Sequence, residues 1–488
     1  MVKKIKELNA YRVPDSIELN EFQLKTIESS DITFTLKIPV ITVDVLERII
    51  HQVQINRDQY LASMPIADIV NKIDMAVQKW LNPDYPLRKL AERVIPIITG
   101  YDQEMVRLQL KRYMRTFRKK ELLRFLDEEF DQPAMLDEFR PRKSGGMSKA
   151  FGPRTIFHVF SGNVPGVQIW SLIMGLMVKS STIGKVSMAE PLFPVLFTES
   201  LAEVDEKLAE TIAILPWKGG TNELEGTTIE TSDAVIVYGT NDTVEKLKSK
   251  VPPHKKFLSY GHKISFSLIG KEALTPDLYY KTIQKLAEDI SVYDQQSCLS
   301  PQTVFVEEGG GISAKQFAQM LGAELERYHK KRTRAKLTDE EAMSIQRLRS
   351  RFELESLQQD NVTVLSSERG TSWTVIYHEE LGFEGSPLNR SIHVYSVVES
   401  IEQAVHIIKP YQQYLQSCGL AVAPSRLFQL ADRLGELGVN RITPVGEMNQ
   451  AKPGWHHDGG FNLLDLVRMT DIERNVEEDL ERFDPDVE

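Results

Sequence analysis

At 488 residues the chain has room for two to four domains of roughly 100 to 200 residues each, and therefore for a large buried core. Its 41% hydrophobic, 8% aromatic and 26% charged residues exclude a fibrous or mainly disordered protein. With 59 basic against 69 acidic side chains the net charge is −10, the wrong sign for a general nucleic-acid binder, and two cysteines, Cys298 and Cys418, are too few for a disulfide framework, which points to a reducing, cytoplasmic setting.

The N-terminal stretch carries charge where a secretory signal needs an unbroken apolar run. The first 60 or so residues mix β-like segments (ITFTLKIPVITVDV) with helix and suggest no chemistry. From Pro65 to Phe130 apolar residues recur at helical spacing, which predicts amphipathic helices; the charge run RTFRKKELLRFLDEEF reads as their solvated face. Arg140 to Gly152 is rich in glycine, serine and basic residues and reads as a loop or hairpin. Strand-like and helical runs then alternate: a strand at Thr155–Phe160, a buried helix from Val164 to Val178, a helix over Leu192–Leu208, a strand at Ala234–Tyr238 and a helix over Thr243–Lys250. The Val164–Val178 run is too short and too interrupted for the roughly 20 apolar residues of a bilayer span, so no membrane span is expected. A second α/β series starts near Lys263, with ISFSLIG, TVFVEEG, NVTVLS, WTVIYH and IHVYSVV as strands between helices such as Ala314–Leu325 and Ile401–Leu415. This alternation predicts doubly wound parallel sheets covered by helices. The tail, DIERNVEEDLERFDPDVE, is acidic and reads as loosely held.

Three places could carry chemistry. Ala234–Tyr238 followed by Gly239-Thr240-Asn241-Asp242 is a strand, a turn and a helix start, whose unpaired N–H groups suit a phosphate; Thr240 or Asn241 could equally be a plain helix cap. No GxGxxG occurs, so nucleotide binding here needs another geometry. Ser161-Gly-Asn-Val-Pro-Gly166 follows an apolar strand and precedes the buried helix, with Pro165 suited to its first turn and Asn163 either a cap or a donor into a cleft. Cys298, in YDQQSCLSPQTVFVEE, lies on a polar connection; it is an inert thiol if buried and a nucleophile if it faces a cleft.

Together these elements resemble the aldehyde dehydrogenase superfamily, in which an asparagine turn, a Lys-x-Ser strand end, a phosphate-binding turn and a cysteine follow in this order. More narrowly, FHVFSGNVPGVQIW, LNPDYPLRKLAERVIPIITGYDQEM, SCLSPQ, SPLNRSIHVY and LGVNRITPVGEMNQAKPGWHHDGG resemble the LuxC acyl-CoA reductase family of long-chain fatty-acid reductases known from bacterial luminescence, from about Ile66 to Arg468. The resemblance implies an α/β, aldehyde-dehydrogenase-like fold: an N-terminal mixed and helical region (1–135), a nucleotide-binding α/β domain (136–262), a catalytic α/β domain containing Cys298 (263–430), and a C-terminal segment with the acidic tail (431–488).

The resemblance also implies roles. Cys298 would take the acyl group from a thioester, and NADPH would reduce it to a fatty aldehyde. Asn163 and the Cys298 backbone N–H would stabilise the tetrahedral oxyanion, such a donor being worth roughly 3 to 4 kcal/mol. A free thiol of pKa about 8.5 is mostly protonated at neutral pH, so helix dipoles or a polar neighbour are expected to assist Cys298. Where aldehyde-oxidising relatives carry a water-activating glutamate, this chain reads Ser259-Tyr-Gly-His-Lys263, which favours reduction; His262 is a proton donor or base in one reading and a plain polar residue in another. Lys185-Val-Ser187-Met188 replaces a Lys-Pro-Ser-Glu pattern, so Lys185 and Ser187 would meet a 2′-phosphate that no carboxylate repels, a repulsion of about 4 kcal/mol at ~4 Å in an effective dielectric near 20. Gly239 and Thr240 would contact the pyrophosphate.

His456-His457-Asp458 reads as a loop rather than a metal site, Cys418 as core, and Glu384 is set aside as a ribose ligand because SPLNR departs from the pattern. The expected partners are an acyl-CoA or acyl-carrier donor, a homo-oligomeric copy, and an acyl-transferring or ligase enzyme. The alternatives are an NAD-dependent aldehyde dehydrogenase, a cysteine acyltransferase or thioesterase without nicotinamide, and a non-catalytic member of an acyl-handling complex.

Overall fold

A computed structural model of the chain describes residues 3–4, 7–29 and 32–480. Its first large sheet has five parallel strands in the spatial order Lys256–Tyr260, Ala234–Tyr238, Thr155–Val159, Ser181–Val186, Ile212–Pro216. Successive residues alternate between two cores, as the two-residue strand period demands. Phe157, Val159, Val235 and Val237 pack under the helices Val43–Asn56 and Asn222–Thr231. Ile156, Ala234 and Ile236 face the opposite core, with the helices Val167–Met177 and Phe193–Ala202. The chain runs outward from Thr155–Val159 in one direction and returns to lay Ala234–Tyr238 on its other side. The carboxyl ends of these two strands therefore diverge into a crevice, the place where open α/β sheets bind ligands.

The second sheet has seven strands in the order Val362–Ser366, Thr374–His378, Ser391–Val397, Pro301–Glu307, Ile264–Ile269, Leu415–Ala421, Arg441–Pro444, and only the Val362–Ser366 edge runs antiparallel. The helices Tyr279–Ser291 and Ala314–Lys331 cover one face, and Glu402–Ile408 with Leu427–Glu436 the other. Both sheets bear out the doubly wound reading. Cys418 lies in Leu415–Ala421 and is fully buried.

Four helices, Ile66–Leu81, Pro86–Thr99, Gln103–Arg115 and Lys119–Glu129, occupy the amphipathic region and close over the first sheet. Arg140 to Gly152 forms a hairpin, Arg140–Pro141 against Met147–Phe151, to which Arg468–Ile472 adds as a third antiparallel strand. Part of the tail read as loosely held is therefore tied down: 471–472 end the third strand of this sheet and Arg474–Leu480 is helical, while 481–488 lie outside the described residues. Between the Arg441–Pro444 and Arg468–Ile472 strands the chain is anchored by the buried Glu129 carboxylate, which accepts the backbone N–H groups of Asn462, Leu463 and Leu464 at 2.8, 3.0 and 3.1 Å. The N-terminal segment, silent in sequence, extends the first sheet through an Arg12–Ile214 bridge.

Other readings are corrected in detail. Leu192–Leu208 is two helices, because Asp205 caps a separate turn at Glu206–Ala209. The helix expected over Ile401–Leu415 ends at Ile408; Pro410 follows in a tighter turn and Leu415 already begins a strand. No helix among the described residues is long and apolar enough to cross a membrane.

Candidate active site

The Thr155–Val159 strand delivers a loop whose shape is imposed from both ends. Gly166 adopts φ +120°, and an added Cβ would come within 2.8 Å of the Tyr113 ring, so only glycine fits. Gln168, buried in the following helix, accepts the Gly166 N–H at 3.0 Å and donates to the Ser161 carbonyl at 3.0 Å. The helix starts at Val167, so Pro165 precedes it instead of occupying its first turn. The Tyr101 hydroxyl donates to the Asn163 carbonyl at 2.6 Å, and Asn163 Nδ2 donates to the Gln296 carbonyl at 3.0 Å, two residues before Cys298. That bond uses one N–H of the amide and leaves the other for a ligand.

The connection to Cys298 is strained backbone. Tyr293, Asp294 and Gln295 have φ of 50°, 50° and 68°, and facing them Leu388, Asn389 and Arg390 have 62°, 55° and 64°. Left-handed non-glycine residues cost about 1–3 kcal/mol each and persist only where their surroundings over-determine them. Here Arg390, fully buried, pairs with Asp294 at 2.7 Å, and the second Asp294 oxygen accepts the Ala335 N–H at 2.9 Å. Gln295 donates to the Pro301 and Ser391 carbonyls at 2.7 and 2.9 Å and accepts the Ser391 N–H at 2.9 Å. The Cys298 carbonyl accepts the Ser265 hydroxyl at 2.6 Å.

The two loops meet at a cavity of about 620 Å³. Its wall holds Cys298, Asn163, His262, Gly239 and Thr240 together, with an apolar side from Tyr113, Phe117, Val164, Val167 and Trp170. Arg112, Lys263 and Lys452 line it, and among the described residues no aspartate or glutamate does. His262 is exposed on this wall, its backbone N–H bonded to Asn241 Oδ1 at 2.9 Å. Gly239 donates its N–H to the Tyr260 carbonyl, and Thr240 caps the Asn241–Lys248 helix, accepting the Thr243 N–H at 3.4 Å. The cap reading of Thr240 is thus correct, at a helix end that opens on the cavity.

Lys185, Ser187 and Met188 lie outside this cavity, at the end of the neighbouring Ser181–Val186 strand. The Lys185 ammonium lies against Gly219 in the loop after Ile212–Pro216; burial lowers its pKa and the Glu225 charge raises it. Glu225 is itself neutralised by Lys250 at 3.0 Å. Ser187 abuts Gly162, where an added Cβ would stand 3.0 Å from its hydroxyl, and Met188 packs against the core. Glu384 is off the cavity wall and pairs with Arg351 at 2.9 Å.

Residues that the sequence reading passed over complete the site. His457 lines the cavity with its ring 3.9 Å from Tyr260 and 4.5 Å from Trp455, and burial pushes its pKa down to about 4. His456 turns away onto Phe461, so the two histidines have different neighbours. Asp458, bonded at 2.6 Å by Gln416 Nε2, sends its charge toward the cysteine. Cys298 is half-buried, and its thiol is pushed up to about 12, first by burial and then by Asp458; the Gln416 amide and the Arg441 charge act in the opposite direction. The expected polar neighbour exists, but burial outweighs it and the thiol is neutral in the ligand-free protein. A loop at 456–458 and a strand at 415–421 carry no local signature of this convergence.

The arrangement of two mainly parallel sheets around a cysteine and an asparagine turn is an aldehyde-dehydrogenase-like fold. A solved methylmalonate-semialdehyde dehydrogenase from Oceanimonas doudoroffii superposes with a TM-score of 0.71 at 12% identity, over 95% of this chain and 97% of that one. Residues 61–469 match the acyl-CoA reductase (LuxC) family, and the chain belongs to it. It is 26% identical to the long-chain acyl-protein thioester reductase of Vibrio harveyi over 87% of this chain and 86% of that one, and 25% identical to that of Photobacterium phosphoreum over 97% and 92%.

Two outcomes are expected from this geometry. Arg390→Leu strands Asp294 as a buried unpaired charge, which costs about 3–5 kcal/mol; thermal unfolding should shift down and activity fall, with Arg390→Lys retaining part of both. Iodoacetamide labelling of Cys298 should climb with pH without a plateau below about pH 10, and Asp458→Asn, by removing the charge that raises the thiol pKa, should accelerate labelling at fixed pH. Slower labelling of that variant contradicts the assignment.

Proposed function

We propose that this protein reduces a long-chain fatty acyl thioester to the aldehyde, with NADPH, through an acyl-Cys298 intermediate. The observation that carries the reading is a cysteine and an asparagine amide on one cavity whose wall, among the described residues, contains no carboxylate. Without a carboxylate beside the acyl-enzyme to activate it, water is a poorer competitor, which favours reduction over hydrolysis to a free acid. The names of the curated relatives, thioester reductases, agree with this direction.

The Cys298 sulfur, once ionised, adds to the acyl carbonyl carbon, and the carbonyl electron pair moves to oxygen. The free N–H of Asn163 and the backbone N–H of Cys298 are the donors offered to that oxyanion. Collapse breaks the bond to the donor's sulfur, which leaves with a proton, and the acyl group stays on Cys298. Addition of hydride to the same carbon gives a second tetrahedral anion, whose collapse frees the aldehyde and the Cys298 thiolate. Because the resting thiol is neutral, proton removal accompanies attack; His262, exposed on the cavity wall, is our candidate acceptor.

A nicotinamide nucleotide fits the residues present. The crevice between Thr155–Val159 and Ala234–Tyr238 is floored by Gly162, where an added Cβ would meet Ala189 Cβ at 2.8 Å, and by the Gly239–Thr240 turn. Gln416 Oε1, almost fully buried in the cavity wall, lacks a hydrogen-bond partner among the described residues and can accept from a carboxamide. Lys185 and Ser187 would hold a 2′-phosphate, with Met188 removing the carboxylate that would repel it; this favours NADPH over NADH. When bound, the reduced ring supplies the hydride. The soluble setting we infer is cytoplasmic.

Mass spectrometry after mixing with a long-chain acyl-CoA, without NADPH, should place one acyl group on the Cys298 peptide; label elsewhere, or none, overturns the mechanism. With NADPH, acyl-CoA should be consumed as NADPH absorbance falls, which separates reduction from acyl transfer or thioester hydrolysis. Asn163→Ala should lower kcat roughly 10²–10³-fold with little change in NADPH binding.

A further inference from the structure

We propose that Tyr101 and Tyr293 are positioning residues for the reaction: their hydroxyls hold the 163–165 turn so that the free N–H of Asn163 is aimed at the oxyanion formed over Cys298. The proposal rests on the reductase reading and deepens it at the same site, assigning a rate-setting role to two side chains that carry out no bond-making step.

The turn has little of its own to hold it. Residues 160–166 lie between the Thr155–Val159 strand and the Val167–Met177 helix and belong to neither. The Asn163 and Pro165 carbonyls, on either side of Val164, accept no backbone N–H among the described residues. Each accepts a phenolic hydroxyl instead, that of Tyr101 at 2.6 Å on Asn163 and that of Tyr293 at 3.2 Å on Pro165.

Both tyrosines are buried, and both are placed by constrained backbone. Tyr101 sits in the corner between the helices Pro86–Thr99 and Gln103–Arg115. Gly100 ends the first at φ +77°, Thr99 Oγ1 accepts the Tyr101 N–H at 3.3 Å, and Asp102 caps the second by accepting the Met105 N–H at 3.0 Å. Tyr293 opens the left-handed run that leads to Cys298, and its ring meets Tyr101 edge-on with centroids 5.8 Å apart. Burial raises the pKa of both phenols, so each stays a protonated donor across the neutral range.

The contacts between the two loops are reciprocal. Tyr293, from the cysteine loop, bonds the backbone of the asparagine turn, and Asn163, from that turn, bonds the Gln296 backbone of the cysteine loop. An amide is planar, so its first bond and the place of its backbone together fix the direction of its second N–H. A shift of the Asn163 backbone swings that donor, and a misplacement of about 1 Å can cost on the order of 10²-fold in rate.

The test is a double-mutant cycle on two rates: the nitrophenolate burst as Cys298 is acylated by p-nitrophenyl octanoate without NADPH, and kcat for NADPH-dependent reduction of a long-chain acyl-CoA. Tyr101→Phe removes only the hydroxyl, and both rates should fall about tenfold. KM for acyl-CoA and the NADPH dissociation constant, read by protein fluorescence, should stay within about twofold. Tyr293→Phe should behave alike, and it decides the matter should Tyr101→Phe fail to fold. In an Asn163→Ala background either substitution should cost less than about twofold, because no side-chain donor remains to be aimed. The loss should be the same from about pH 6 to about pH 9, since neither phenol titrates there. Iodoacetamide labelling of Cys298, which forms no oxyanion, should keep its wild-type rate. Equal losses with and without Asn163, a loss confined to KM, labelling slowed in step with the rates, or unchanged rates overturn the proposal. If the unaltered protein shows the burst but no NADPH oxidation, the reductase reading falls and the cycle on the burst still decides the positioning role; if Cys298 takes no acyl group, both fall.

Discussion

The buried Arg390–Asp294 pair is the constraint on which the site depends. It joins two runs of left-handed backbone, one leading to Cys298 and one leading into the Ser391–Val397 strand. A buried ion pair contributes little to net stability, since desolvation consumes most of its attraction. Its value here is geometric: once Asp294 is held, Gln295 and Gln296 follow, and the carbonyl of Gln296 then receives the Asn163 amide from the other sheet. Nucleophile and oxyanion donor are thereby located relative to each other by a chain of hydrogen bonds that runs from the buried ion pair out to the exposed Asn163 amide.

The same burial that fixes the geometry sets the chemistry. Burial and the nearby Asp458 charge hold the thiol protonated, which protects it from oxidants that attack thiolates. The cost is that the thiolate must be made when substrate arrives, and the groups able to favour it, Gln416 and Arg441, are already in place against the burial that opposes them. Reactivity is thus coupled to occupancy.

Much of this was legible in the sequence. Alternating apolar runs located both sheets, and the strand-turn-helix passages around Asn163 and Thr240 showed themselves because each feature is contiguous. Ile212–Pro216 and Arg441–Pro444 escaped because short buried strands lack a distinctive period. Gln416, His457 and Asp458 escaped for another reason: they reach Cys298 from more than a hundred residues away, and only the stacking of His457 on Tyr260 and the Gln416–Asp458 bond bring them there. The neutral state of Cys298 was also illegible, since a polar flanking sequence says nothing of the packing above it.

The stretch between Arg441–Pro444 and Arg468–Ile472 contributes Trp455 and His457 to the cavity and is fastened along the way by Glu129. A polypeptide leaves the ribosome amino end first, so every other part of this pocket exists before that strap does. Trp455, His457 and the strand that lies beside Met147–Phe151 are thus the last of these surroundings to be synthesised, well after Cys298. A nascent chain stalled short of that strand would carry the nucleophile without the shelter that makes it selective.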